Sequence, residues 1–287
     1  MIPGSFEYHR PATVDEAVAL LSTHGDEGRP LAGGHSLIPM MKLRLATPAH
    51  LVDLGAIDAL RAIGERDGAL TIGAMVTQHD VIGSALLAEK CPILRETALL
   101  IADPQVRYCG TLGGNVANGD PGNDMPAVMM ALGASYVLQG PNGSRSVAAA
   151  DYYEGAFFTV LEEGELLTEV SIPMPKSGHG FAYEKLKRKV GDYATAAAAV
   201  ILEMDGGSCS KASIVLTNVG QTPILAGDAA AALVGTSLDE AAIGQASRKA
   251  AETAEPVADM RGPEDYRRHV TAVMVARAIA RAGDRAA

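Results

Sequence analysis

The stretch RPLAGGHSLIPMMKLRL, residues 29–45, decides how this chain is read. A charged, turn-prone lead gives way to Gly33 and Gly34, then His35 and Ser36, then a run of Leu, Ile and Met. Adjacent glycines lose conformational entropy on ordering and bury no side chain, so a close approach to their backbone must offset them. One such pair is ordinarily a tight bend. A second pair follows in TLGGN (111–115), inside the polar loop ADPQVRYCGTLGGNVANGDPGNDMPA (102–127). A loop of this kind beside apolar, helix-like text is costly unless it lines a site.

Neither pair fits the G-x-G-x-x-G or G-x-x-x-x-G-K-[ST] spacing, and the sequence holds no H-E-x-x-H or G-x-S-x-G. The physical reading is of two glycine loops, distant in sequence, converging on one diphosphate. Glycines bring backbone N–H groups within hydrogen-bond distance, while Ser36, Thr111 and Asn115 add donors. Asp124, just downstream, is suited to accept from ribose or ribityl hydroxyls. The alternative, two bends in a non-catalytic scaffold or assembly protein, stays open on these residues alone. His35 is either a ligand neighbour or a polar packing residue. Tyr193, in VGDYATAA, either packs in the core or stacks on a flat ligand. KLKRK (185–189) reads as a solvated strand face, with an acidic docking partner or a phosphate contact as rivals. Met40 and Met41 read as core, and Asp103 with Arg107 as a local ion pair, with a catalytic role as the rival.

The net charge of −10 and pI near 5.2 argue against nucleic acid as a partner. Cys91, Cys109 and Cys209 are widely spaced and form no C-x-x-C, so no zinc or iron–sulfur pattern is visible and no metal site is expected on this chain. The N-terminal MIPGSFEYHRP lacks an apolar signal core, and ATAAAAVILEM (194–204) is too short to cross a bilayer. A soluble cytoplasmic protein is expected.

Element patterns suggest three units. Thr13 and Glu16 form a capping pair for a helix ending at Gly25, with strands near 29–32 and 50–55. A strand at 70–72, a cap at Thr77, two helical segments and a hairpin at Asn142-Gly143 follow. PMPKSGHG (173–180) reads as a linker, with three strands beyond it near 180–187, 194–204 and 211–218. The last stretches are helical, one with Tyr266, Val270, Val273 and Ala280 near one face and Arg277 interrupting the stripe.

Taken together, RPLAGGHSLIPMMKLRLATP, IADPQVRYCGTLGGNVANGDPGNDMPA and KLKRKVGDYATAAAAV resemble the FAD-binding subunits of the molybdenum hydroxylase (xanthine dehydrogenase) family, and within it the aerobic carbon monoxide dehydrogenase branch. The resemblance covers essentially the whole chain. It implies an α+β fold of the vanillyl-alcohol-oxidase/PCMH type, with subdomains of about 1–55 and 56–177 clasping extended FAD and a C-terminal domain at 178–287 of a small antiparallel sheet plus helices. It implies FAD contacts at Ala32, Gly33, Gly34, His35, Ser36, Thr111, Leu112, Gly113, Gly114, Asn115 and Asp124. Leu167, Lys185 and Tyr193 would lie near the adenine or flavin rings. No catalytic acid or base is implied on this chain. Electrons from a large subunit with a molybdenum cofactor would pass through a small iron–sulfur subunit to FAD and on to an acceptor such as a quinone. A dimer of heterotrimers and peripheral contact with the inner face of the cytoplasmic membrane would fit that role. No NAD site is recognisable, unlike in xanthine dehydrogenase. The rivals are a related hydroxylase of an N-heterocycle or aldehyde, and a free-standing flavin reductase.

Overall fold

The computed structural model describes residues 2–286. Its first layer is a small parallel sheet. Strand β1 (Glu7–His9) leads into helix α1 (Val14–His24), then β2 (Gly28–Leu31), helix α2 (Leu37–Lys42) and β3 (His50–Asp53), with spatial order β1-β3-β2. Thr13 caps α1 by accepting from the Glu16 N–H, and Gly25 ends it at φ +49°. The Glu16 carboxylate reaches one residue beyond the expected box and accepts from the Ala12 N–H at 2.8 Å. Ala17, Val18 and Leu21 of α1 bury against Val52 and Leu54, which holds the helix on one face of the sheet.

The second layer is an antiparallel sheet, built from β4 (Ile63–Arg66), β5 (Ala69–Gly73), β6 (Ser135–Gly140), β7 (Gly143–Ala148) and β10 (Leu166–Pro173) in the order β4-β5-β10-β6-β7. A two-stranded ribbon, β8 (Tyr153–Gly155) and β9 (Phe158–Thr159), precedes β10. Between β5 and β6 lie six short helices: α3 (Gln78–Gly83), α4 (Ala85–Lys90), α5 (Pro92–Leu100), α6 (Pro104–Cys109), α7 (Leu112–Ala117) and α8 (Met125–Ala131). Four of these replace the two segments expected before residue 110, because Ser84 caps a new helix and Pro92 and Pro104 each open another at its first turn. The β6–β7 turn is centred on Pro141-Asn142, one residue earlier than expected, and Gly143 takes the left-handed position at φ +113°.

The third unit is an antiparallel sheet of β11 (Gly180–Leu186), β12 (Ala196–Asp205), β13 (Ser208–Thr217) and β14 (Ile224–Leu225), followed by α9 (Gly227–Ala231), α10 (Glu240–Thr253) and α11 (Glu264–Arg285). Strand β12 explains the alanine run. Ala197 and Ala199 join the core of the second layer, while Ala196, Ala198, Val200 and Leu202 face α10 and α11. Both faces are buried at short range, so small side chains replace the usual alternation of apolar and polar.

Helix α11 buries Val270, Thr271, Met274, Val275, Ala278, Ile279 and Ala282. The expected stripe was phased differently: Tyr266, Arg277 and Ala280 are exposed, so Arg277 interrupts nothing. Arg267 is the buried charge on that face. Its guanidinium donates to the carbonyls of Thr195 (3.2 Å), Val257 (2.6 Å) and Asn218, and lies 3.4 Å from the Asp259 carboxylate. It thereby ties α11 to the segment that carries Tyr193. Arg267→Met would leave three carbonyls without their donor, and should lower stability by about 3–5 kcal/mol. In urea titration the midpoint falls while the slope is kept.

Candidate functional site

Strand β2 delivers loop 32–36 to the same place where α6 ends and α7 begins. The glycines are explained at this junction. A Cβ on Gly33 would lie 2.3 Å from the Cys109 carbonyl oxygen and 2.7 Å from the Gly110 Cα. One on Gly113 would lie 2.5 Å from the Ala74 Cβ, and one on Gly114 would lie 2.9 Å from the Thr111 hydroxyl. Gly34 sits at φ +72°, which favours glycine whatever the space. The backbone approaching Gly33 is therefore the protein's own second loop.

This contact makes the two loops unequal. In the second loop every leading N–H is used internally: Leu112 donates to Val76 (2.8 Å), Gly113 to Ala74 (2.9 Å), Gly114 to the Thr111 hydroxyl (2.9 Å) and Asn115 to the Thr111 carbonyl (3.1 Å). In the first loop the N–H groups of Gly33, Gly34, His35 and Ser36 have no acceptor among the described residues. Four successive unpaired donors around a left-handed glycine form a concavity suited to an anion. The His35 ring braces it by hydrogen bonding through Nδ1 to the Gly33 carbonyl at 2.7 Å. Asn115 spends its carbonyl oxygen on the Met125 N–H (3.1 Å), and its amide nitrogen has no acceptor among the described residues.

The loops open into a cleft of about 600 Å³ that reaches both sheets of the N-terminal half and the start of the third unit. Thirteen of the fourteen expected site residues line it: Ala32, Gly33, Gly34, His35, Ser36, Thr111, Gly113, Gly114, Asn115, Asp124, Leu167, Lys185 and Tyr193. Leu112 does not. Its side chain is fully buried among Val76, Val116 and their neighbours, since the first turn of α7 points it inward.

The polar centre of the cleft is Asp124. Its carboxylate accepts from the Tyr183 hydroxyl at 2.6 Å and from the Lys185 ammonium at 2.8 Å. The Lys185 side chain is 1% exposed, so the first basic residue of KLKRK points inward rather than into solvent. Burial raises the Asp124 pKa above the usual carboxylate value, opposed by the Lys185 charge and by the two hydrogen bonds. Burial, reinforced by the Asp124 charge, also holds the Tyr183 phenol well above its ordinary pKa. At the other end, Tyr193 lies in the loop before β12 rather than within a core strand. Its ring packs on Gly122, where a Cβ would sit 2.6 Å from it. Arg261 stands 6.0 Å from the ring centroid. Burial and the nearby Asp120 push the Tyr193 phenol up to about 12.

The sequence reading missed Gln78, which lines the cleft at 1% exposure. Its amide nitrogen donates to the Thr111 carbonyl at 3.3 Å, while its buried Oε1 has no partner. In sequence it is only the first residue after the Thr77 cap. Ile101 and Ala102 were missed as well. Ala102 adopts φ +42° opposite Gly191, a second place where two loops touch with no side chain between them.

Unpaired N–H donors, a buried carboxylate and an aromatic ring brought to one cleft are the groups that a dinucleotide cofactor needs. Residues 4–175 match the FAD binding domain in molybdopterin dehydrogenase, and residues 181–282 match the CO dehydrogenase flavoprotein C-terminal domain; the chain belongs to this family. It is 62% identical to the carbon monoxide dehydrogenase medium chain of Afipia carboxidovorans, over 100% of this chain and 99% of that one. It is 47% identical to the Hydrogenophaga pseudoflava medium chain, over 97% of each. Its structure superposes on a chain of reconstituted CO dehydrogenase from Oligotropha carboxidovorans with a TM-score of 0.98, covering 100% of both chains at 62% identity. The cofactor of the family's N-terminal domain is FAD, and no helix among the described residues is long and apolar enough to cross a membrane.

The buried pair carries a pH signature. A carboxylate with a folded pKa above its unfolded value takes up a proton more readily when folded, so it removes stability as pH rises through that window. Lys185→Met deletes the charge that limits this effect. The variant should be destabilised by about 3–5 kcal/mol at neutral pH. The deficit should shrink on acidification toward the raised Asp124 pKa, and Asp124→Asn in the same chain should restore most of the loss in thermal melts at neutral pH.

Proposed function

We propose that this chain is the FAD-bearing, electron-transferring subunit of a molybdenum hydroxylase that oxidises carbon monoxide. The observation that carries the reading is end-to-end identity of 62% with a carbon monoxide dehydrogenase medium chain. When bound, FAD supplies a two-electron acceptor that can be filled in single-electron steps and emptied to an external acceptor such as a quinone. The oxidation itself, CO + H₂O → CO₂ + 2H⁺ + 2e⁻, falls to a large subunit holding the molybdenum cofactor, and a small iron–sulfur subunit relays the electrons.

In this reading the chain's own residues bind and orient. The Gly33–Ser36 N–H groups hold the diphosphate, with Thr111, Gly114 and Asn115 bracing the facing side. Asp124 accepts from ribityl or ribose hydroxyls through the lone pairs that Tyr183 and Lys185 leave free. Gln78 Oε1 offers one further acceptor. Leu167 and Tyr193 flank the rings and exclude water. No residue of this chain is required to move a proton in the upstream oxidation. We further assign residues 1–177 as the FAD-binding domain, with subdomains at about 1–55 and 56–177, and 178–287 as the C-terminal domain. A dimer of heterotrimers in the cytoplasm, in peripheral contact with the inner membrane face, is the assembly that suits delivery of electrons to a quinone.

Co-expression with the two partner subunits tests the proposal. The complex should show flavin absorption that bleaches under carbon monoxide, whereas this chain with FAD alone should not bleach. Turnover of a substrate by the isolated flavoprotein would overturn the subunit reading. Gly33→Ala separates the cofactor assignment from assembly. The added methyl collides with the Cys109 carbonyl and spreads the loops, so FAD affinity should fall at least about tenfold in a fluorescence titration, with the overall helix content by circular dichroism kept.

A further inference from the structure

Away from the cleft, three histidines meet in the first layer. His9 ends β1, His24 ends α1 and His50 opens β3. Parallel pairing sets Glu7 beside His50 and His9 beside Val52, so these side chains share the sheet face that α1 covers. The last turn of α1 lowers His24 onto the same point. The His24 and His50 rings stack at 3.6 Å between centroids with 15° between their planes, and His9 lies 5.1 Å and 5.3 Å from them. One ring nitrogen from each lies within 4.8 Å of the others. His9 Nε2 and His50 Nδ1 are 3.1 Å apart, and the Glu7 carboxylate is 3.5 Å from His50 Nδ1.

We propose that His9, His24 and His50 bind one divalent transition-metal ion of the zinc class, with the Glu7 carboxylate completing the shell. A tetrahedral ion with metal–nitrogen bonds of about 2.0–2.1 Å separates its ligand nitrogens by about 3.3–3.4 Å. The His9–His50 pair already stands near that distance, so an ion takes the place of their shared hydrogen with a shift of a few tenths of an ångström. His24 joins by tilting from its stack. Three imidazoles and one carboxylate select borderline ions such as Zn²⁺, Co²⁺, Ni²⁺ and Cu²⁺ over Mg²⁺ or Ca²⁺. The site also lies at the C-terminus of α1, where the helix dipole favours a cation.

The consequence is mechanical. His50 pairs with Gly28 at the start of β2, and the end of β2 leads into the anion-binding loop at 32–36. A metal that joins β1, α1 and β3 fastens the whole lobe from which that loop projects. It touches neither cofactor nor substrate, and it would add stability by mass action.

The test uses the full chain without a histidine tag, loaded with FAD. After incubation with Zn²⁺ and gel filtration, elemental analysis should find one zinc per chain, and the melting temperature should rise on Zn²⁺ addition. His24→Ala and His9→Asn should each weaken Zn²⁺ binding at least about a hundredfold, with flavin content unchanged as the check on folding. Failure of the wild-type chain to retain zinc overturns the proposal. So does undiminished zinc in a chain carrying His9→Asn, His24→Ala and His50→Asn together, because the ion would then sit elsewhere.

Discussion

The contact between Gly33 and the Cys109–Gly110 backbone is the constraint on which the site depends. With a Cβ-to-carbonyl distance of 2.3 Å, even an alanine is sterically impossible without moving a loop. The contact joins the parallel lobe to the helical segment of the second layer. It also decides which loop is free to bind. The N–H groups of Leu112, Gly113, Gly114 and Asn115 turn inward to hold the second loop against Val76, Ala74 and Thr111. That support leaves the first loop with four N–H donors that have no acceptor among the described residues. Unpaired donors in the first loop are thus the counterpart of hydrogen-bonded N–H groups in the second.

A second polar device fixes the third wall. Asp124 opens α8, whereas Tyr183 and Lys185 stand two residues apart on β11 and so share one face. Their hydrogen bonds to a single carboxylate lock the C-terminal sheet onto the helical layer. Nearby, α8 packs against β12 and β13, and the alanines of β12 allow that approach. Arg267 does the equivalent from the far side, by gripping the carbonyl of Thr195 just before β12. The loop that carries Tyr193 is therefore held at both ends, and its ring is positioned by packing on Gly122 rather than by a hydrogen-bonded strand.

Much of this was legible in the sequence, for identifiable reasons. Glycine pairs, helix caps and alternating apolar runs report local geometry, so α1, β5 and the three long strands of the C-terminal sheet emerged near their observed limits. Features set by distant partners did not. Lys185 reads as one of four cations in KLKRK until Asp124 is placed beside it. Gln78 has no local signature, because its unpaired oxygen is apparent only once the cleft exists. The stripe on α11 was mis-phased because Tyr266 counts as apolar in a periodicity, although its ring lies at the surface. The two glycine pairs do meet at one cleft, but the close neighbour that Gly33 admits is the chain itself.

The histidine cluster follows the same logic. His9, His24 and His50 are separated by 14 and 25 intervening residues, a spacing that matches no metal motif, and the cysteine pattern had pointed away from metal altogether. Only the parallel pairing of β1 with β3 and the length of α1 bring them together. Parallel strands need a crossover connection, here α1, so the end of α1 returns to the strand starts while the end of β2 projects the other way. The topology therefore divides the lobe into two ends with different chemistry. Exposed N–H groups at one end suit an anion, and imidazole nitrogens at the other suit a cation. Strand β2 runs between the two ends, so a metal held by the histidines would brace the lobe from which the 32–36 loop projects, with no contact between the two sites.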